Sequence, residues 1–143
     1  MAAGSEGNED YHTQGGTVIY GIGIDLVEMR RTSRLLEKYG ERFAKRVLTH
    51  IELQEFAASK RPAAFLASSF AAKEAFAKAV GSGFRYPVIL SHISVAHDDF
   101  GKPELRFHPA LERYLKERNI GRHHLSVSDE NNLACAMVIL EQP

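Results

Sequence analysis

The chain holds a single cysteine in 143 residues, so no disulfide can form within it and its stability must come from a packed core. Cys135 stands in the apolar run Leu133-Ala-Cys-Ala-Met-Val-Ile-Leu140, a setting for inert packing rather than for a low-pKa nucleophile. Net charge is missing as well. Eighteen basic and eighteen acidic side chains cancel, so the molecule as a whole offers no attraction to nucleic acid or an anionic membrane. No apolar stretch reaches the roughly 18 to 20 residues needed to span a bilayer, and the N-terminus lacks the basic-then-apolar plan of a signal peptide. These absences predict a cytoplasmic protein whose partners include neither membrane nor nucleic acid.

Familiar nucleotide and metal motifs are absent too. Gly21-Ile-Gly23 has no third glycine to complete a dinucleotide fingerprint, and no Gly-x-x-x-x-Gly-Lys-Ser/Thr loop occurs. Seven histidines are scattered, and the adjacent His123 and His124 point to opposite faces of a predicted strand, the wrong geometry for joint metal ligation.

What is present is a domain-sized chain with 44% hydrophobic content, enough for one core that buries roughly 70% of the extended-chain surface. Residues 1–16 are rich in Gly, Asn, Glu and Gln and read as an unstructured extension, leaving 17–143 as a single domain. From Val18 the sequence alternates. Val18, Tyr20, Ile22, Ile24 and Leu26 share one strand face, and Ile19, Gly21, Gly23, Asp25 and Val27 share the other. The two glycines leave a bare groove beside Asp25 that a ligand or another backbone can enter. Asp25-Leu-Val-Glu28 also has the spacing of a capping box, so Asp25 has a second reading as a helix cap.

Residues 29–46 read as helix interrupted at Gly40, with seven basic side chains against Glu37 and Glu41. Arg30, Arg34 and Lys38 stack on one face: a solvated face, or a docking surface for an acidic partner or phosphates. A helix over 51–60 is followed by a longer one that Pro62 opens and Gly81-Ser-Gly83 closes. On the longer helix Lys73 falls inside the apolar arc and Glu74 at its edge, with Lys78 one turn on. Glu74 and Lys78 could form a plain surface pair. Lys73 is better placed if it reaches an anionic ligand or a buried acid. Hairpin strands over 93–97 and 103–107, a short helix after Pro109, and a second hairpin over 124–129 and 133–140 complete the plan, with the last strand expected to be buried on both faces. Strands and helices do not alternate strictly, which predicts an α+β fold with a mainly antiparallel sheet and helices packed on one side. Acids in two otherwise apolar elements, Asp25 and Glu74, call for a shared cation.

Ile22-Gly-Ile-Asp25-Leu-Val-Glu28, Arg46-Val-Leu-Thr49, Phe65-Leu-Ala, Phe70-Ala-Ala-Lys-Glu-Ala-Phe-Ala-Lys-Ala-Val-Gly81 and Gly101-Lys-Pro103 together resemble the holo-acyl-carrier-protein synthase family of small bacterial 4′-phosphopantetheinyl transferases. The similarity runs in order from about Val18 to Glu141. It implies transfer of phosphopantetheine from coenzyme A to a serine of apo acyl carrier protein in fatty acid biosynthesis, with Mg²⁺ and release of adenosine 3′,5′-bisphosphate. By position in the motif, Asp25 and Glu74 match the metal ligands and Lys78 a phosphate contact, with Lys73, Gly81 and Gly83 beside the same phosphates. The serine proton would go to Glu74 through a water or to a nearby side chain. Asp129 is a supporting candidate, standing where many members have histidine. Ser69 replaces a frequent arginine, a loss that a residue such as Arg85 could offset. The basic helix, through Arg30, Arg31 and Arg34, becomes the expected dock for the acidic carrier, and the family implies a homotrimer. The rival reading is a noncatalytic module that binds an acidic protein or RNA through this helix, with Asp25 as a cap and Glu74 in a surface pair.

Overall fold

A computed structural model describes residues 16–143; the expected extension falls almost wholly outside them. The alternating segment forms strand β1 (Val18–Glu28), and a helix follows without a loop as α1 (Met29–Tyr39). Gly40, at φ 57°, breaks the helix, a left-handed angle that glycine takes without strain. Then come α2 (Glu41–Val47), α3 (His50–Ala58) and the long α4 (Pro62–Val80), which Pro62 opens and Gly81 caps in the left-handed conformation. Strands β2 (Ile93–His97) and β3 (Pro103–Phe107), helix α5 (Pro109–Glu117), and strands β4 (Arg122–Glu130) and β5 (Leu133–Gln142) complete the chain.

All pairings are antiparallel, in a three-stranded sheet of order β1-β5-β4 and a two-stranded sheet of β2 and β3. The expected α+β architecture is observed. Helix α4 lies across the larger sheet and buries Ala71, Ala72, Ala75 and Ala79 against Val27, Ala134, Ala136 and Val138. Small residues on both sides permit an unusually close approach. A Cβ on Gly21 or Gly23 would run into the carbonyl oxygen of Ala79 or Ala75. The groove these glycines clear is therefore filled by the helix backbone.

Two expectations need correction. Strand β5 is buried on one face only: Ala134, Ala136, Val138 and Leu140 point inward, while Leu133 and Met137 are exposed and Cys135 is half-buried on that outward face. The apolar run is continuous because both faces are apolar, not because both are covered by the chain itself. Likewise Asp25 does not cap a helix. It sits inside β1 opposite Ala136, and the residue before α1 is Glu28. The first turn of α1 is satisfied from elsewhere: the Met29 and Arg30 N–H groups donate to the Asn132 carbonyl at 2.8 Å and to its Oδ1 at 3.0 Å.

Candidate active site

Asp25 and Glu74 converge because β1 and α4 touch at the two glycines. Asp25 follows Gly23 by two residues and shares its face, and Glu74 precedes Ala75, whose carbonyl Gly23 admits. Lys78 extends from the next turn of α4, its Nζ donating to Asp25 Oδ1 and to the Ile24 carbonyl, both at 3.0 Å. The Glu74–Lys78 pairing open to the sequence is thus replaced by Lys78 on Asp25. Asp25 is mostly covered, while Lys78 remains half exposed. Burial first, and the Asp25 charge second, push the Glu74 carboxyl above the usual glutamate range; Lys78 and Arg31 oppose them. Asp25, Glu74, Lys78 and Arg31 therefore share one electrostatic site, held by the strand, the long helix and the start of α1.

Gly81 and Gly83 follow at the C-terminal end of α4, both with positive φ, and neither would meet an atom within 4 Å at a Cβ position. Arg30, Arg31 and Arg34 are exposed on α1. Beside them a groove of 470 Å³ runs between α1 and α2, lined by Leu35, Tyr39, Arg42, Phe43, Arg46 and Phe70 among others.

Two expected site residues lie elsewhere. Lys73 is fully buried, its Nζ 2.6 Å from Glu52 Oε1, so it cannot reach a solvent-borne phosphate. Its helix position turns it about 100° away from Glu74 and into the core. Asp129 is on the far edge strand β4, with β5 between it and β1. It pairs with Arg61 at 3.4 Å across a cleft of 370 Å³ shared with Ser68, Ser69, His97 and Gly101. Arg61, not Arg85, is thus the basic group found in the cleft of Ser69. Neither Arg61 nor Glu52 carries a local sequence signal for these pairings; Lys73 within the apolar arc calls for a buried acid or an anionic ligand, and the structure supplies the acid.

Among the described residues no cluster of three or more His, Cys, Asp or Glu side chains could hold a metal. Two carboxylates still suit magnesium, which commonly takes one or two and fills its sphere with water and phosphate oxygens. No helix of the described residues is long and apolar enough to cross a membrane.

Comparisons with known proteins identify the family. Residues 21–138 match the model of the 4′-phosphopantetheinyl transferase superfamily. A holo-[acyl-carrier-protein] synthase of Nitrosospira multiformis is 63% identical over 125 residues, covering 87% of this chain and all of the relative. The crystal structure of the Neisseria meningitidis synthase superposes with a TM-score of 0.85 at 49% identity, covering 87% of this chain and 100% of that one. A Bacillus anthracis synthase in complex with CoA (3′,5′-ADP) superposes with a TM-score of 0.74 at 38% identity, over 87% and 98% of the two chains. On sequence and fold together, the chain belongs to the holo-[acyl-carrier-protein] synthase family of the 4′-phosphopantetheinyl transferase superfamily.

Proposed function

We propose that this enzyme transfers the 4′-phosphopantetheine group from coenzyme A to a serine of apo acyl carrier protein, releasing adenosine 3′,5′-bisphosphate, in fatty acid biosynthesis. The carrying observation is the meeting of Asp25, Glu74 and Lys78 where α4 crosses the glycines of β1. Asp25 and Glu74 fit Mg²⁺ as oxygen donors whose mutual repulsion a divalent cation relieves. When bound, the ion supplies charge neutralisation for the diphosphate being broken. Lys78 spends two donors on Asp25 and Ile24, leaving its third for a phosphate oxygen. Gly81 and Gly83 offer open backbone beside it. In this reading the serine proton passes to Glu74 through a water. Asp129, already paired with Arg61 in its own cleft, is assigned no part in that step.

Arg30, Arg31 and Arg34 form the carrier dock in this reading, with the neighbouring groove offering apolar and arginine contacts to an acidic helix. The outward face of the sheet supports a homotrimer. Val18, Ile22, Ile24 and Leu26 are each more than half exposed there, alongside Leu133 and Met137, and contiguous apolar faces of this kind mark interfaces. Sedimentation equilibrium tests it: a monomer mass at micromolar concentration would reject the trimer. A cytoplasmic location belongs to the same reading. The noncatalytic alternative loses its footing, since Asp25 caps no helix and Lys78 pairs with Asp25. Intact-mass measurement of apo carrier after incubation with coenzyme A and Mg²⁺ tests the reaction. A single phosphopantetheine adduct is expected, and no adduct with any divalent metal rejects transfer.

A further inference from the structure

Lys73 and Glu52 take no part in the chemistry above, yet both side chains are fully buried. Lys73 Nζ donates to the Val47 carbonyl at 2.6 Å, to Glu52 Oε1 at 2.6 Å and to the Leu90 carbonyl at 3.3 Å, which occupies all its N–H groups. Glu52 in turn accepts from the backbone N–H of Thr49 at 2.8 Å and of Val95 at 3.2 Å. No buried side-chain nitrogen or oxygen among the described residues lacks a partner. The network ties the end of α2, the start of α3, strand β2 and the turn at Leu90 to the α4 residue immediately before Glu74.

Such a pair is a poor source of stability, because desolvation offsets most of the Coulomb attraction and apolar replacements of similar volume are often neutral or better. Burial indeed pushes the Lys73 pKa down against the pull of Glu52. What a buried polar anchor supplies well is register. The side α4 turns to the core is rich in alanine, at positions 67, 71, 72, 75 and 79, with Phe76 and Val80 the larger side chains among them, and the methyl groups add little to what those two do to fix the rotation. With Lys73 held on one side, Glu74 must stand about 100° round the helix, and Lys78 about 40° beyond Glu74. Val47 and Leu90, whose carbonyls hold the ammonium, also line the groove between α1 and α2. One side chain thus bolts the wall of that groove to the turn that carries the acid.

We propose that Lys73 and Glu52 are a positioning pair that fixes the carrier-docking groove relative to Glu74. The inference rests on the carrier-transfer reading above. Its test is the double variant Lys73→Met with Glu52→Met, which keeps volume and removes both charges. The double variant is expected to melt cooperatively and to bind coenzyme A, measured by calorimetry without carrier, within about threefold of wild type, while kcat/KM for apo carrier falls at least about tenfold. A cooperatively folded double variant with wild-type carrier turnover overturns the inference, as does a loss of coenzyme A affinity equal to the loss of turnover. Should the double variant not fold, Glu52→Asp retracts the carboxylate by one methylene while keeping its charge. The same selective loss is expected, and an unchanged kcat/KM overturns the proposal. Absence of transfer by the wild type instead defeats the carrier reading itself, so the two failures are distinguishable.

Discussion

Lys78 on α4 donates to the Asp25 carboxylate on β1 at 3.0 Å, bridging helix and strand at the point where Gly21 and Gly23 let them touch. The bridge leaves Glu74 without its helical neighbour as a direct partner, beside a second acid and partly buried. A site with two acids and one tied lysine is poised for a cation, and its geometry depends on a backbone contact that side chains would prevent.

That contact gives the first prediction. Gly23→Ala places a methyl group against the Ala75 carbonyl, and forced overpacking costs about 1–3 kcal/mol or more. Urea unfolding should show a lowered midpoint, with transfer activity falling alongside. Gly121→Ala is the control: its nearest neighbour would be 3.7 Å away, and its midpoint should hardly move. Equal midpoints for Gly23→Ala and wild type would show that the helix does not rest on the strand as described.

Glu74 predicts an inverse pH effect on stability. Its carboxyl is raised by burial and then by Asp25, so the native protein binds a proton there that the unfolded chain has already lost. The contribution is fully present below the unfolded pKa and disappears as pH rises through the native one. Glu74→Gln removes the ionised form. In chelator it should melt above wild type at pH 7, a gap that closes toward about pH 4. A gap that widens in acid would contradict the assigned cause.

Carrier docking predicts a split between substrates. Arg34 is exposed on α1 and has no role in holding the acids. Arg34→Glu should raise KM for apo carrier several-fold while the Kd for coenzyme A stays unchanged. The difference from wild type should shrink at high salt, since exposed charges are screened over about 10 Å at 0.1 M. Equal effects on both substrates, read by steady-state kinetics and calorimetry, would place the dock elsewhere.

Much of this architecture was legible in the residues, for identifiable reasons. Alternation from Val18, the breaks at Gly40 and Gly81, and Pro62 at a helix start are local signals, and each marks an element boundary observed here. Strand alternation, however, names two faces without saying which is covered. The face with two glycines is the inner one, because the partner is a helix backbone, and the aliphatic face is outward. Asp25 fitted a cap or a strand end equally from its neighbours, and long-range pairing with Ala136 decided it. Lys73 inside an apolar arc calls for a buried acid or an anion, but Glu52 lies 21 residues away and only the tertiary fold brings it in. For the same reason Asp129 could be matched to a motif position but not located: strand β5 separates it from Asp25.

The most direct measurement compares wild type with Asp25→Ala and Glu74→Ala, monitoring apo carrier by intact mass with coenzyme A and Mg²⁺ and carrier binding in parallel. The wild type should add one phosphopantetheine per carrier. Both variants should lose at least about 100-fold in rate, as expected when charge stabilisation at a reacting centre is removed, while still binding the carrier. Wild-type rates in either variant, or loss of carrier binding in step with loss of rate, would contradict the assignment of Asp25 and Glu74 as the working acids of this site.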